Sequence, residues 1–503
     1  MRSRTAFPCL LLVVAGGFLA ALTGCSASGT NSDGGTGGGT GGDPGGAQNP
    51  VPTLTSATPT QVAAHNPGTT FTLTGSNFTS TSTAMWSGYQ LATTFQSATS
   101  LTAHAPWQAF ASTGVQYLSV MNPAPGGGTS NSVSFSVVPA SLKLITVPTI
   151  AYGLVWEPAS QKLFLSNVGS TWLNGTSIQS LDPVTGTLGT PITVGPIPDQ
   201  LAVSANSKYL YVALDSVDPF LPVSVGQALI QRITLPALTL DQTFPVRGYA
   251  PLQILPSAIA DDTIAVIGGD LQITPKETGG ILIYDRGVPR PNWLCGDSDK
   301  PYWNSCIDTQ YASGDWNSAA WSPDETLLYA YDGASTAADA FTATVDSSGF
   351  RSVSATQVPY YGGSLPTQAY PPQSYFSIHY DTTTGYAVTD DGLILNPSNW
   401  SVVNNLQHIG VAIPDGKLGA VFMVSWIGPE IGYELDSFDI HTGKVIASYL
   451  LPTVVGQPAA LIRWGTDGLA LLTKDFFPTQ HPPVGSIYLM EGVFIGNPTA
   501  AAK

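Results

Sequence analysis

Positive charge is scarce in this chain. Its 503 residues hold 17 Lys and Arg against 33 Asp and Glu, a formal net charge of −16. Nucleic-acid binding needs a basic footprint to replace the counterions on phosphate, so that class of function is excluded. Charged residues of both signs reach only 10%, whereas Gly numbers 53 and Pro 40. Such a chain has little with which to build amphipathic helices and much with which to build short strands and turns. It is also too long for one ordinary domain. Histidines are few and scattered: His65, His104, His379, His408, His441 and His481 show no paired metal-ligand spacing. There is no Gly-x-Ser-x-Gly nucleophile elbow and no phosphate-binding glycine loop. No metal site is assigned. Calcium is the one ion that Asp297 and Asp299 would suit, and the further acidic positions of an EF-hand are missing.

Long apolar runs are absent too, apart from Cys9 to Leu22, which is too short to span a bilayer. Arg2 and Arg4 precede it and Leu22-Thr23-Gly24-Cys25 ends it. This resembles the lipobox of bacterial lipoprotein signal peptides. The resemblance implies cleavage after residue 24 and a diacylglyceryl anchor on Cys25. Ser26 stands where Asp would favour inner-membrane retention, which points to the outer membrane of a bacterial cell envelope. Residues 25–49 then form the lipidated Cys and a Gly-rich tether with no apolar residue larger than Ala47. As a random coil the tether spans about 25–30 Å.

Residues 50–138 read as a small β domain. Thr70-Phe71-Thr72-Leu73-Thr74 and Val133-Ser134-Phe135-Ser136-Val137 alternate strictly, giving strands with one buried face. The stretch from Gly68 through Gly75-Ser76-Asn77-Phe78, with Pro52, Pro59, Leu101 to Pro106 and Gly114 to Tyr117, resembles the IPT/TIG family of immunoglobulin-like sandwiches. That resemblance implies a spacer or adhesion module without catalytic residues. Met85-Trp86 departs from the smaller residues usual there.

Residues 140–496 carry a repeat of four short strands, seen most plainly in two copies between Leu154 and Gly248. First strands recur at Leu154, Leu201, Leu252, Ala319, Phe376, Val411 and Leu461, and third strands at Ile178, Leu229, Ile281, Phe341, Leu393, Leu435 and Ile487. Repeated four-stranded units predict a seven-bladed β-propeller, and the whole chain is all-β. The last repeat lacks a fourth strand, whereas Ser141 to Pro148 is a fourth strand with no blade before it. That N-terminal strand is therefore expected to close the ring and remove open edges. Residues 497–503 form a C-terminal tail. Tyr209-Leu-Tyr-Val and the Asp182-Pro-Val-Thr-Gly turn, echoed at Asp439-Ile-His-Thr-Gly, resemble YVTN-type bacterial surface propellers. Quinone-dependent and lactonase-type propellers share this turn pattern, so it specifies architecture only. Its Asp is expected to hold nearby backbone amides. Cys295 and Cys306, in an insertion after the third strand of blade 3, are expected to form a loop-closing disulfide in an exported protein. Asp390-Asp391-Gly392 reads as a hairpin turn.

Two functions from different classes fit. One is a surface-anchored binding lipoprotein whose propeller recognises a glycan, a peptide or a protein partner, with the IPT/TIG domain as spacer. The other is a propeller hydrolase, lyase or lactonase with an acidic, calcium-assisted site at the central channel. Carboxylates at the channel mouth would favour the second, and aromatics without unpaired carboxylates the first. Turns between first and second strands are short, whereas loops between second and third strands are long and irregular, so the binding face is placed on the long loops. Those loops supply the candidates Trp172, Asp215, Asp218, Phe220, Tyr360, Tyr361, Tyr370, Glu430 and Phe476, with Phe477 and Glu434 nearby. Aromatics beside carboxylates suit stacking on, and hydrogen bonding to, a sugar or a peptide.

Overall fold

The computed structural model describes residues 48–63, 66, 68–110, 114–138, 142–167, 175–215, 228–246, 251–268, 280–295, 306–308, 318–332, 338–359, 377–428, 432–474 and 485–498. Cys25 and the tether up to residue 47 therefore lie outside the described residues, as do Asp297 and Asp299.

The first β domain is a sandwich. One sheet runs Thr53–Thr58, Gly68–Ser76, Ser100–Pro106, Ala92–Ser97; the other contains Gln61–Ala63, Val133–Val138, Gly114–Asn122, Thr83–Trp86 and Tyr89–Gln90. Period-two alternation does what it predicts: Phe71, Leu73, Phe135 and Val137 are buried and Thr70, Thr72 and Thr74 face water. Phe78 plugs the end of the sandwich. Gly75 is needed because a Cβ there would stand 2.0 Å from the Thr53 carbonyl oxygen and 2.6 Å from the Phe78 ring. Asn77 takes the left-handed turn at φ 62°. The Met85-Trp86 strand pairs normally, Trp86 opposite Leu118, and the indole donates to Gln116 Oε1 at 3.1 Å.

Seven further sheets follow among the described residues, each built on four antiparallel strands; blade 3 carries two more, Val288–Pro289 and Cys306–Asp308. Blade 1 begins with Ala151–Glu157, blade 2 with Pro198–Val203, blade 3 with Pro251–Pro256, blade 4 with Ser318–Trp321, blade 5 with Ile378–Tyr380, blade 6 with Gly410–Asp415 and blade 7 with Gln457–Trp464. Second strands are covered on both faces and are correspondingly apolar along most of their length; all six residues of Tyr209–Leu214 are buried. Several fourth strands, such as Thr239–Pro245 and Ser401–Asn405, are largely exposed or half-buried. One hydrophobic cluster fills each junction between successive blades, from Phe164, Ile178, Leu201 and Val212 between blades 1 and 2 to Val388, Ile394, Met423 and Phe438 between blades 5 and 6.

Ring closure follows the expected plan. Leu142–Val147 pairs antiparallel with Ser486–Gly492, from Leu142 opposite Gly492 to Val147 opposite Ile487. It is the fourth strand of blade 7. Val147, Leu472, Ile487 and Leu489 then pack against Ala151, Leu154, Leu163 and Leu165 of blade 1. A final helical turn, Val493–Gly496, lays Phe494 and Ile495 into the junction of blades 6 and 7 beside Leu142.

Two readings of local structure need correction. Cys295 is not in an insertion: Trp293–Cys295 is the fourth strand of blade 3, with Cys295 opposite Gly280, and Cys306–Asp308 adds a parallel fifth strand. The connection between the second and third strands of blade 6 is not long, because Trp426 pairs with Tyr433 and Gly428 with Gly432, which leaves no more than residues 429–431 between the two strands.

Candidate functional site

The turns between first and second strands, and those between third and fourth strands on the same face, are built for structure. Asp182 Oδ1 accepts from the amides of Val184 and Thr185 at 3.0 and 3.1 Å, and Asp439 Oδ1 accepts from His441 and Thr442 at 3.0 and 2.8 Å, so both sit in the outer Asp-x-x-x-Gly turns as expected. Asp381 repeats the arrangement within blade 5. Burial pushes the Asp182 and Asp439 carboxyls up, but their hydrogen bonds from backbone amides outweigh it and hold both below the usual range. They are occupied by their own backbone and free for little else.

Charge gathers at the opposite end. Inner strands begin, and second strands finish, on the side from which the second-to-third loops leave. There the inner strands of blades 1 and 2 supply Tyr152 and Asp199, the end of the second strand of blade 2 supplies Asp215, and the end of the second strand of blade 7, Gly468–Lys474, supplies Lys474. Gly153 permits this approach: a Cβ there would stand 2.4 Å from the Asp199 carbonyl oxygen. The Asp215 amide donates to the Ile197 carbonyl at 3.1 Å, fixing the start of its side chain. Lys474 Nζ lies 5.0 Å from the centre of the Tyr152 ring, a cation–π contact.

Burial dominates the electrostatics here. It pushes the Asp199 and Asp215 carboxyls up, and for Asp215 the neighbouring Asp199 adds to the effect while Lys474 opposes it. Burial likewise lowers Lys474, against the pull of both carboxylates, and raises Tyr152, with Asp199 and Asp215 adding to it. Asp215 Oδ1 is buried without a hydrogen-bond partner. An acceptor in that state costs about 1–3 kcal/mol unless something donates to it. The mouth thus carries two carboxylates, one ammonium and one phenol, with an acceptor open to a donor.

A second polar group stands across the ring. Asp390 Oδ2 accepts from the Ser377 amide at 3.0 Å, and Oδ1 from the Ala412 amide at 2.9 Å and from His379 Nε2 at 3.0 Å. Tyr331 donates to Asp391 Oδ2 at 2.8 Å, and Thr389 bonds the other oxygen. Asp390-Asp391-Gly392 is indeed a hairpin, with Gly392 at φ 86°, but its carboxylates also tie blades 4, 5 and 6 together.

Of the residues expected to bind ligand, Asp215 is the one placed, and it stands in this mouth. Trp172, Asp218, Phe220, Tyr360, Tyr361, Tyr370, Glu430 and Phe476 lie outside the described residues. Tyr152, Asp199 and Lys474 were not anticipated. Tyr152 and Asp199 share one position of the repeat, two residues before Leu154 and Leu201, so aligning the copies would have paired them. Lys474 carries no such signal. Among the described residues no group of three or more His, Cys, Asp or Glu could hold a metal ion, and no helix is long and apolar enough to cross a membrane.

Fold and mouth together define an all-β protein with an immunoglobulin-like sandwich followed by a seven-bladed propeller. Residues 52–137 match the IPT/TIG domain family. No curated protein sequence matches the chain. Among solved structures it is similar to a chain of a mitotic checkpoint complex, at 10% identity and a TM-score of 0.45, covering 69% of this chain and 90% of that one. It is similar too to an auxiliary nutrient binding protein from Bacteroides thetaiotaomicron, at 10% identity and a TM-score of 0.39, covering 87% of this chain and 98% of that one. At such distances neither likeness bears on the ligand.

Proposed function

We propose that this protein is a lipid-anchored binding protein of the bacterial cell envelope, held through Cys25. Its propeller takes a glycan, peptide or protein ligand on the long-loop face, and the IPT/TIG domain serves as spacer. The observation that carries the reading is the polar mouth, where Asp215 keeps a buried oxygen without a donor beside Asp199, Lys474 and Tyr152. A hydroxyl- or amide-bearing ligand supplies the donor, the lysine donates to its oxygens, and the phenol ring offers a surface to stack on. Lys474 contributes the positive charge that a metal ion would otherwise bring, so the reading needs no metal. Glycan and peptide arrays probed with the mature protein test it. Saturable binding that falls at least tenfold in Asp215→Asn is the expected result; undiminished binding by that variant removes the mouth from the site.

The raised carboxyls support a second reading. Two acids kept towards their protonated forms beside a lysine are also the equipment of general acid–base catalysis, as in a hydrolase, lyase or lactonase. It predicts release of a product from the bound ligand, and loss of that release without loss of binding in Asp199→Asn. The bacterial surface setting rests on the lipobox: Cys25→Ala is expected to leave unprocessed precursor that takes no fatty-acid label.

A further inference from the structure

A separate polar recess lies between blades 5 and 6, also towards the long-loop end, and it stands independently of the channel mouth. Ala420–Gly428 and Gly432–Asp439 pair so that Ser425 is opposite Glu434 and Met423 opposite Asp436. Met423 and Phe438 pack into the blade 5 junction, so Ser425, Glu434 and Asp436 share the face that looks at blade 5. His408 closes the recess from the link that joins the two blades, its ring 5.2 Å from that of Phe438.

Acceptors here outnumber donors. Asp436 is 1% exposed and Ser425 3% exposed, yet Asp436 Oδ2 and Ser425 Oγ have no hydrogen-bond partner. Ser448 occupies the other oxygen of Asp436. His408 Nδ1 lies 2.9 Å from the Leu406 carbonyl, which can only accept, so that nitrogen carries the proton. In the neutral ring Nε2 is then a lone pair, and it stands 3.8 Å from Asp436 Oδ2, too far for a hydrogen bond. The surroundings cannot make good the deficit. Asp390 is bound to His379 and to the Ser377 and Ala412 amides, and Asp391 to Tyr331 and Thr389. No Lys or Arg of the described residues pairs with Glu434 or Asp436. The His408 side chain, at the edge of the recess, is 33% exposed to solvent.

We propose that this recess is a binding site for a primary ammonium group. Such a group brings three donors and no acceptor in a compact tetrahedral head. Asp436 Oδ2, Ser425 Oγ and the Glu434 carboxylate or His408 Nε2 are the acceptors it meets. Its charge offsets two carboxylates that otherwise face each other, a repulsion that adds to burial in pushing Glu434 up to about 7. A planar amide would satisfy the hydrogen bonds but not the charge. A quaternary ammonium would satisfy the charge but not the hydrogen bonds.

The test follows the His408 ring resonances by NMR in the full protein titrated with methylammonium chloride. Tetramethylammonium chloride, sodium chloride and calcium chloride are run at matched ionic strength. The expected result is a saturable shift with methylammonium alone, weakened at least fivefold in Asp436→Asn and in Ser425→Ala. Thermal melts confirm that each variant folds, and Ser425→Ala, the smaller change, serves if Asp436→Asn does not. Equal shifts with tetramethylammonium or sodium would show screening only. No saturable shift would show that water alone fills the recess, and a stronger response to calcium would make it a metal site. Any of these three results overturns the proposal.

Discussion

Replacing Lys474 by Met keeps the length and the apolar stem of the side chain and removes its charge. In the native mouth this ammonium opposes the upward push on both Asp199 and Asp215. Removing one partner of a buried ion pair typically costs about 3–5 kcal/mol. Here the group is reached by solvent at its edge, so about 2–4 kcal/mol is the working figure at pH 8. The sign with pH is definite. Both carboxyls already have folded pKa values above their unfolded ones, and losing the lysine raises them further. Between the unfolded and folded values the native state holds protons that the unfolded chain has released, so stability is gained as pH falls and lost as it rises. Urea denaturation of parent and Lys474→Met at pH 8 and pH 5 should therefore show a gap that narrows on acidification. The pair Lys474→Met with Asp215→Asn should recover to within about 1 kcal/mol of the parent, since Asp199 is then relieved of the repulsion from Asp215 that the lysine had offset. A loss below about 1 kcal/mol at both pH values would show that Lys474 does not neutralise the mouth.

Three further outcomes are expected. Deleting Ser141 to Pro148 leaves the strand Ser486–Gly492 as an open edge and uncovers Ile487 and Leu489, so the protein should aggregate or lose most of its stability; an unchanged melting curve would contradict ring closure. Glu434→Gln should be more stable than the parent at pH 8 by about 1–3 kcal/mol and equal to it near pH 4. The folded carboxyl, at about 7 against an ordinary 4.5, holds its proton across that interval and forfeits that advantage above it; a variant less stable at pH 8 would refute the assignment. Cys295 and Cys306 are proposed to be bonded to each other. Their strands lie side by side, Cys295 opposite Asp308 and Cys306 opposite Trp293, and mass spectrometry of the exported protein should find neither thiol free. Closing the loop would add about 3 kcal/mol at most.

Period and register explain what was legible in the sequence. Leu142–Val147 was legible because the last repeat lacks a fourth strand, Ser141 to Pro148 has no blade before it, and Thr146-Val147 echoes Thr193-Val194. Second strands such as Tyr209–Leu214 announce burial on both faces by being apolar throughout. The sandwich was legible through Phe71, Leu73 and the Gly75 to Phe78 turn. The mouth was not, apart from Asp215, because Tyr152, Asp199 and Lys474 come from three blades and meet only when the ring closes. The recess at Ser425, Glu434 and Asp436 was hidden for another reason. In the chain these are ordinary polar residues of two hairpin strands, and only cross-strand register with a buried face makes them a site. Cys295 was misplaced because blade 3 takes its fourth strand after a short detour through Val288–Pro289, which spacing alone reads as an insertion.

The central claim is that ligand is held on the long-loop face at the channel mouth. Hydrogen–deuterium exchange of the mature protein, with and without the strongest ligand from the arrays, tests it most directly. Ligand held there slows exchange at the strand ends carrying Tyr152, Asp199, Asp215 and Lys474 and leaves the turns at residues 158–161, 205–207, 323–325, 414–416 and 465–467 unchanged. Protection confined to those turns would place the ligand on the opposite face and contradict it.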